Sequence, residues 1–146
     1  MKRVLLILAV AIAFASCENG LTSDTERQTQ YVLDAPDDIL GIRQYVHDTI
    51  EQVITKEVRF AGEVIADGYG DCLDLSHLML WLMDKKGIEG GKLIALQLPE
   101  GKHGVIWHEG TYYDPTNYRF EDEKWPEEWI LGEFTLFEIW YTAIWY

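Results

Sequence analysis

Apolar residues recur at helical spacing in the segment from Asp34 to Thr55. The segment starts with acidic residues and a proline, which is typical of a helix start. Its apolar side chains then follow at steps of three or four positions: Ile39, Ile42, Val46, Ile50 and Val53. This spacing puts them on one helix face, so we expect a first amphipathic helix here. A loop containing Gly62, Gly68 and Gly70 is expected to follow it.

The stretch YGDCLDLSHLML, residues 69–80, predicts a second helix. Asp71 can cap it, Cys72 lies in its first turn, and Asp74 stands three positions after the cap. A buried stripe is formed by Leu75, Leu78, Met79 and Leu82. Gly87 supplies the left-handed stop, so the helix ends just before it.

Three segments then favour strands: residues 92–98, 103–109 and 111–116. The last two form a hairpin with a two-residue turn at Glu109-Gly110. This register pairs His108 with Thr111 and Val105 with Asp114. Because side chains alternate along a strand, His103 and Asp114 project from the same face as diagonal neighbours.

Residues 123–146 are crowded with aromatic side chains and can be interpreted in two ways. A polar edge at helical spacing favours a helix, and it is formed by Gly132, Thr135, Glu138 and Thr142. The β-branched and aromatic content favours a strand equally well. We favour helix, and we expect the tryptophans to pack on the core. Helices followed by strands predict an α+β domain.

The first 17 residues indicate export. Lys2 and Arg3 precede an apolar run of residues 4–14, which is too short to span a bilayer. The segment FASC that follows resembles a bacterial lipoprotein signal, in which Cys17 is lipidated and becomes the first mature residue; an ordinary secretory signal is the alternative. We therefore divide the chain into a signal peptide (1–16), a flexible tether (17–33) and a domain (34–146).

The charge balance limits the partners of this domain. Loss of Lys2 and Arg3 leaves 10 basic residues against 25 acidic ones, a formal charge of −15. Phosphate backbones and anionic headgroups repel such a domain, so we expect no nucleic-acid partner and membrane attachment only through acyl chains at Cys17. If Cys17 carries lipid, Cys72 is the one remaining thiol, in an oxidising compartment.

A cysteine nucleophile needs a stabilised thiolate, a base within reach and a third group that orients the base. The start of the second helix favours a thiolate at Cys72, although Asp71 and Asp74 oppose it. His103 and Asp114 share a strand face and can supply the other two groups. His108 lies at the turn and points the other way, so His103 is the better base.

The segments GDCLDLSHLMLWLMDKKGI, HGVIW and YYDPT together resemble the transglutaminase-like cysteine hydrolases, relatives of the papain fold. The resemblance covers residues 34–118 and implies a helix that begins at Cys72, packed on a small antiparallel sheet. It also implies Cys72 as nucleophile, His103 as general base and acid, and Asp114 as the orienting carboxylate. The substrate would be a peptide or another amide, with no cofactor and no metal.

The sequence departs from that family in three places, and one of them is Gly104 after His103, where many members have a small residue and then an aromatic. No glutamine lies just upstream of Cys72 to stabilise an oxyanion, which leaves the Cys72 N–H as one donor and Tyr69 as a candidate for the second. The interval from His103 to Asp114 is short, which implies a tight hairpin.

Two other classes of function compete with catalysis. A zinc site could use Cys72, His103 and Asp114, with His77 or His108 as a fourth ligand, but the usual spacings of zinc ligands are missing. A catalytically silent binding module could retain the fold without the activity. The order of the three side chains along the chain favours catalysis over both.

Overall fold

The structure is a computed structural model, and it describes residues 23–55, 59–116 and 125–139. Its helices are α1 (residues 23–34), α2 (Ile39–Thr49), α3 (Ala61–Asp67), α4 (Cys72–Lys85) and a helical turn α5 (residues 136–139). Its strands are β1 (Glu51–Gln52), β2 (Tyr69–Gly70), β3 (Lys92–Leu98), β4 (Gly101–His108), β5 (Thr111–Tyr113) and β6 (Ile130–Phe134). The expected mixture of helices and an antiparallel sheet is confirmed.

Helix α4 is the central element of the fold. Asp71 caps its start and Gly87 follows its end with a φ of 73°, as the sequence predicts. Every side chain from Asp74 to Met83 is buried, because α2 and α3 cover one side of the helix and the sheet covers the other. A helix enclosed in this way holds its N-terminus in a fixed place.

The first helix was expected to run to Thr55, but α2 ends at Thr49 and residues 51–52 form β1, which pairs with β2.

Two further sequence predictions fail in the helical layer. Residues 23–33 were expected to belong to a flexible tether, but they are helical, and Tyr31 packs its ring 4.8 Å from that of Tyr45. The predicted glycine loop contains helix α3, which buries Val64 and Ile65 beside α4. Both helices are stabilised by these tertiary contacts, since their own sequences are short and polar or contain glycine.

The sheet has the order β5-β4-β3-β6 and is antiparallel throughout. The predicted hairpin register is confirmed, with His108 opposite Thr111 across a turn in which Glu109 and Gly110 have φ values of 47° and 88°. A separate pair of parallel two-residue strands, β1 and β2, brings Gln52 beside Gly70, just before α4.

Alternate residues of the sheet belong to two apolar clusters. Leu93 and Ile106 face the helical layer. Ile94 and Val105 belong to the second cluster, in which Trp125 is 7% exposed. The expected packing of tryptophans on the core is therefore confirmed for Trp125, while Trp140 and Trp145 lie outside the described residues.

The helix favoured for the C-terminal segment is wrong for residues 130–134. These residues form β6 and pair with β3. The β-branched and aromatic side chains of this segment suit a sheet, and the open edge of β3 offers backbone partners that no helix would use. Residues Glu127–Trp129 form a single 3-10 turn, and a helical turn follows Thr135, whose hydroxyl accepts from the Glu138 N–H.

Candidate active site

The capping group of α4 determines which backbone donors remain free at its start. The Asp71 carboxylate accepts hydrogen bonds from the N–H groups of Leu73 and Asp74, at 2.9 and 3.0 Å. These are the second and third N–H groups of the helix. The first N–H, that of Cys72, is not used by the cap and remains available to an incoming oxygen.

The two carboxylates beside Cys72 are held by neutral donors. Thr55 donates its hydroxyl to Asp71 (2.8 Å), and the backbone N–H groups of Asp71 and Arg59 donate to Asp74, each at 3.1 Å. Burial raises the pKa of Asp74, and the negative charge of Asp71 adds to the rise. Protonation of Asp74 would remove one of the two negative charges beside Cys72.

Cys72, His103 and Asp114 meet at the start of α4. His103 Nε2 lies 2.7 Å from Asp114 Oδ2, and the Cys72 side chain hydrogen-bonds the same imidazole. Cys72 Sγ also lies 3.8 Å from the backbone oxygen of Lys102. The three side chains that the sequence singled out are thus connected through one ring.

Thr116, two positions after Asp114, fixes the orientation of the Asp114 side chain. That side chain is fully buried, and its Oδ1 accepts both the N–H of Thr116 (2.8 Å) and the Thr116 hydroxyl (2.7 Å). An aspartate that bonds the backbone two residues on forms a local turn, which sets the rotamer of the carboxylate. Oδ2 is then left pointing at His103.

The surroundings of His103 favour its charged form. Burial of the ring lowers its pKa, but the hydrogen bonds and negative charges of Asp114 and Cys72 outweigh that effect and raise the pKa to about 9. At neutral pH the imidazole is therefore held as a cation between two acidic partners. An imidazolium beside a thiol stabilises the thiolate and stores a proton for a leaving group.

Gly104 lets strand β4 approach the first turn of α4. A Cβ at this position would lie 2.9 Å from Leu73 Cδ2, 3.1 Å from the Cys72 oxygen and 3.2 Å from Leu73 Cα. Two of those three atoms belong to the helix backbone, which cannot swing away. The missing side chain thus permits the close contact that brings His103 up to Cys72.

Cys72 and His103 open onto a groove of about 640 Å³. One wall is the extended segment 52–55, the floor is the start of α4 (residues 71–74), and the other wall is the turn into β4 (residues 101–103). Gln52 and Ile54 are exposed on the first wall, while Val53 and Thr55 are half-buried. The reacting atoms are therefore reachable from solvent along an open channel.

The other candidate residues from the sequence, Tyr69, His77 and His108, make their contacts elsewhere. Tyr69 is not among the described residues that line the groove; its ring lies 4.5 Å from the Arg59 guanidinium. His77 is buried with Nδ1 3.3 Å from the Arg59 oxygen, and His108 Nε2 contacts the Glu89 oxygen at 3.0 Å. Within the described ranges, no group of three or more His, Cys, Asp or Glu side chains is arranged to hold a metal ion.

Sequence reasoning missed four residues that shape the site. Thr116 was interpreted only as part of a strand ending, although Asp-x-Thr is itself a turn signal. Gly104 was noted without a role. Gln52 and Thr55 come from 20 and 17 positions before Cys72, and nothing in the local sequence indicates that they line its groove.

A scan against models of protein families finds no match to this chain, and a search of curated proteins finds none either. Among the described residues, no helix combines the length and apolar character needed to cross a membrane. The predicted lipid-attachment residue, Cys17, lies outside the described ranges.

Proposed function

We propose that this protein is a thiol-dependent amide hydrolase with a transglutaminase-like, papain-related core. Cys72 is the nucleophile, His103 the general acid and base, and Asp114 the orienting carboxylate. One observation carries the proposal. The imidazole of His103 is hydrogen-bonded to Asp114 at 2.7 Å and also interacts with Cys72, and both Cys72 and His103 line an open groove. A base held by a third group beside a nucleophile is the arrangement that covalent acyl transfer needs.

The first half-reaction forms a thioester. The Cys72 thiolate attacks the carbonyl carbon of the amide, and the developing oxyanion accepts a hydrogen bond from the Cys72 N–H. The C–N bond then breaks as the His103 imidazolium gives its proton to the departing nitrogen. A free amine leaves, the acyl group stays on sulfur, and His103 is left neutral.

The second half-reaction releases the acid. Neutral His103 takes a proton from water, the resulting hydroxide attacks the thioester carbon, and the C–S bond breaks. The products are a carboxylic acid and the restored pair of thiolate and imidazolium. Capture by an amine would give transamidation instead. We propose hydrolysis, because water reaches an open groove without a second binding site.

We also propose that the protein is exported and anchored to a bacterial membrane through lipid on Cys17. The support is the order of charge, short apolar run and small residues before that cysteine. Growth of the expressing bacterium with an alkyne-labelled fatty acid should label the wild-type chain and leave a Cys17→Ser variant unlabelled. Equal labelling of both would refute the anchor.

The triad is tested by alkylation of Cys72 as a function of pH. The full chain is used with Cys17→Ser throughout, so that Cys72 is the one thiol. Because His103 stays protonated up to about pH 9, the ratio of the rates with anionic iodoacetate and neutral iodoacetamide should fall as the pH rises through that value. The same ratio should be low and flat in His103→Gln.

The matched control is His108→Gln, which removes an imidazole from the same strand outside the groove. It should keep the wild-type pH profile. If the profile of His103→Gln also equals that of the wild type, the imidazole does not act on the thiol and the proposal is wrong. The binding-module interpretation would then take its place.

A further inference from the structure

The groove that holds Cys72 and His103 carries an apolar side chain presented outward. Ile54 is 98% exposed and follows strand β1 by two residues. Val53 and Leu73 also line the groove, so its recognition surface is largely apolar on this side. An exposed isoleucine side chain keeps apolar surface in contact with water, and burial of that surface against an apolar ligand would lower the free energy.

Ile54 is held close to the reacting atoms. Its neighbour Thr55 bonds the carboxylate of Asp71 at 2.8 Å, and Asp71 directly precedes Cys72. Ile54 and Cys72 line the same groove, so a ligand that occupies the groove can contact both.

The acidic groups of the groove have hydrogen-bond partners of their own. The carboxylates of Asp71 and Asp74 are both engaged by backbone N–H groups and by Thr55. The basic side chains that line the groove, Lys102 and His103, lie on the opposite wall, so contact on this side falls to the segment 53–54.

We propose that Ile54 is a specificity determinant, and that the substrates are amides with an apolar side chain next to the scissile bond. This rests on the proposed function, because it assumes that Cys72 is the nucleophile. Contact with one isoleucine in an open groove should favour an apolar over a polar side chain of equal size by about tenfold.

The test compares two neutral haloacetamides that differ only in the polarity of a group of equal size on nitrogen: N-isobutyl-iodoacetamide and N-(2-hydroxypropyl)-iodoacetamide. The full chain with Cys17→Ser is alkylated by each, and each rate is divided by the rate for free glutathione. We expect the isobutyl reagent to react about tenfold faster in the unmodified groove and to lose that advantage in Ile54→Ser. Leu131→Ser, at a 55% exposed position on β6, is the control and should keep it.

Equal normalised rates for the two reagents, or an advantage that survives Ile54→Ser, would overturn this inference. The proposed function fails in a different way, since it requires the rate to depend on His103. A His103-dependent thiol without selectivity refutes only the role of Ile54, whereas a thiol insensitive to His103→Gln refutes the hydrolase itself. The substitution at Ile54 should not affect folding, because the side chain is exposed.

Discussion

Replacing Gly104 by alanine should uncouple His103 from Cys72 while leaving the domain folded. The new Cβ would lie 3.1 Å from the Cys72 oxygen and 3.2 Å from Leu73 Cα, closer than the 3.4–4 Å of ordinary contact. Neither atom can rotate away, because both belong to the helix backbone. Strand β4 must therefore move from α4 by a few tenths of an ångström, and His103 moves with it.

The expected size of the effect follows from that displacement. Overpacking of one methyl group in a tight contact costs about 1–3 kcal/mol of stability. Misplacement of a catalytic group by about 1 Å can cost a hundredfold in rate, so a shift of a few tenths should cost about tenfold. The loss should appear only in the part of the reactivity that depends on His103.

The assay is the iodoacetamide reaction of Cys72 from acid to alkaline pH, with the unfolding midpoint in urea measured beside it. Gly91→Ala is the matched control. Its Cβ would meet the ends of the Met83 and Leu80 side chains, at 2.8 and 2.9 Å, away from the groove. This control should lose some stability and keep the wild-type pH profile.

One result would refute the reasoning. If Gly104→Ala reacts with the wild-type rate and pH dependence, the missing side chain is not what sets the distance between β4 and α4. A loss of reactivity shared equally by Gly91→Ala would point to general destabilisation and would refute it as well.

Further predictions concern the groups around His103. In Cys72→Ala the pKa of His103 should drop below about 9, because the hydrogen bond and the charge of Cys72 both raise it; an unchanged imidazole titration by NMR would contradict this. Thr116→Val removes the hydroxyl that donates to Asp114 at 2.7 Å. The free energy of unfolding in urea should fall by about 1–3 kcal/mol, and the alkylation of Cys72 should slow. Wild-type stability would show that this hydrogen bond is not needed. Asp71→Ala removes the cap of α4 and should cost about 0.5–2 kcal/mol in the same measurement; a smaller loss would mean that solvent replaces the cap.

Features that depend on neighbouring residues could be predicted from the sequence. Helix α4 begins and ends where its cap and Gly87 indicate, because capping and helical spacing act within a few residues. The β4–β5 register also follows from a two-residue turn. That register alone put His103 and Asp114 on one face, and their 2.7 Å contact agrees with it.

Features that depend on distant contacts were predicted wrongly. Helix α1 has a polar sequence and becomes ordered through contacts such as the 2.6 Å hydrogen bond between Tyr31 and Thr49. Strand β6 has a sequence compatible with helix or strand, and its pairing with β3 decides between them. In both cases local preferences are weak, so the burial and pairing supplied by another part of the chain determine the outcome.

The sequence by itself determined the three chemically active side chains, the helix start that carries Cys72 and the strand face shared by His103 and Asp114. Only the tertiary structure decided that the first turn of α4 meets β4 at Gly104, and that segment 52–55 forms a groove wall beside it. The physical reason is the distance along the chain over which each effect acts. Caps, turns and alternation act over a few residues, whereas the approach of two elements depends on how the whole core packs.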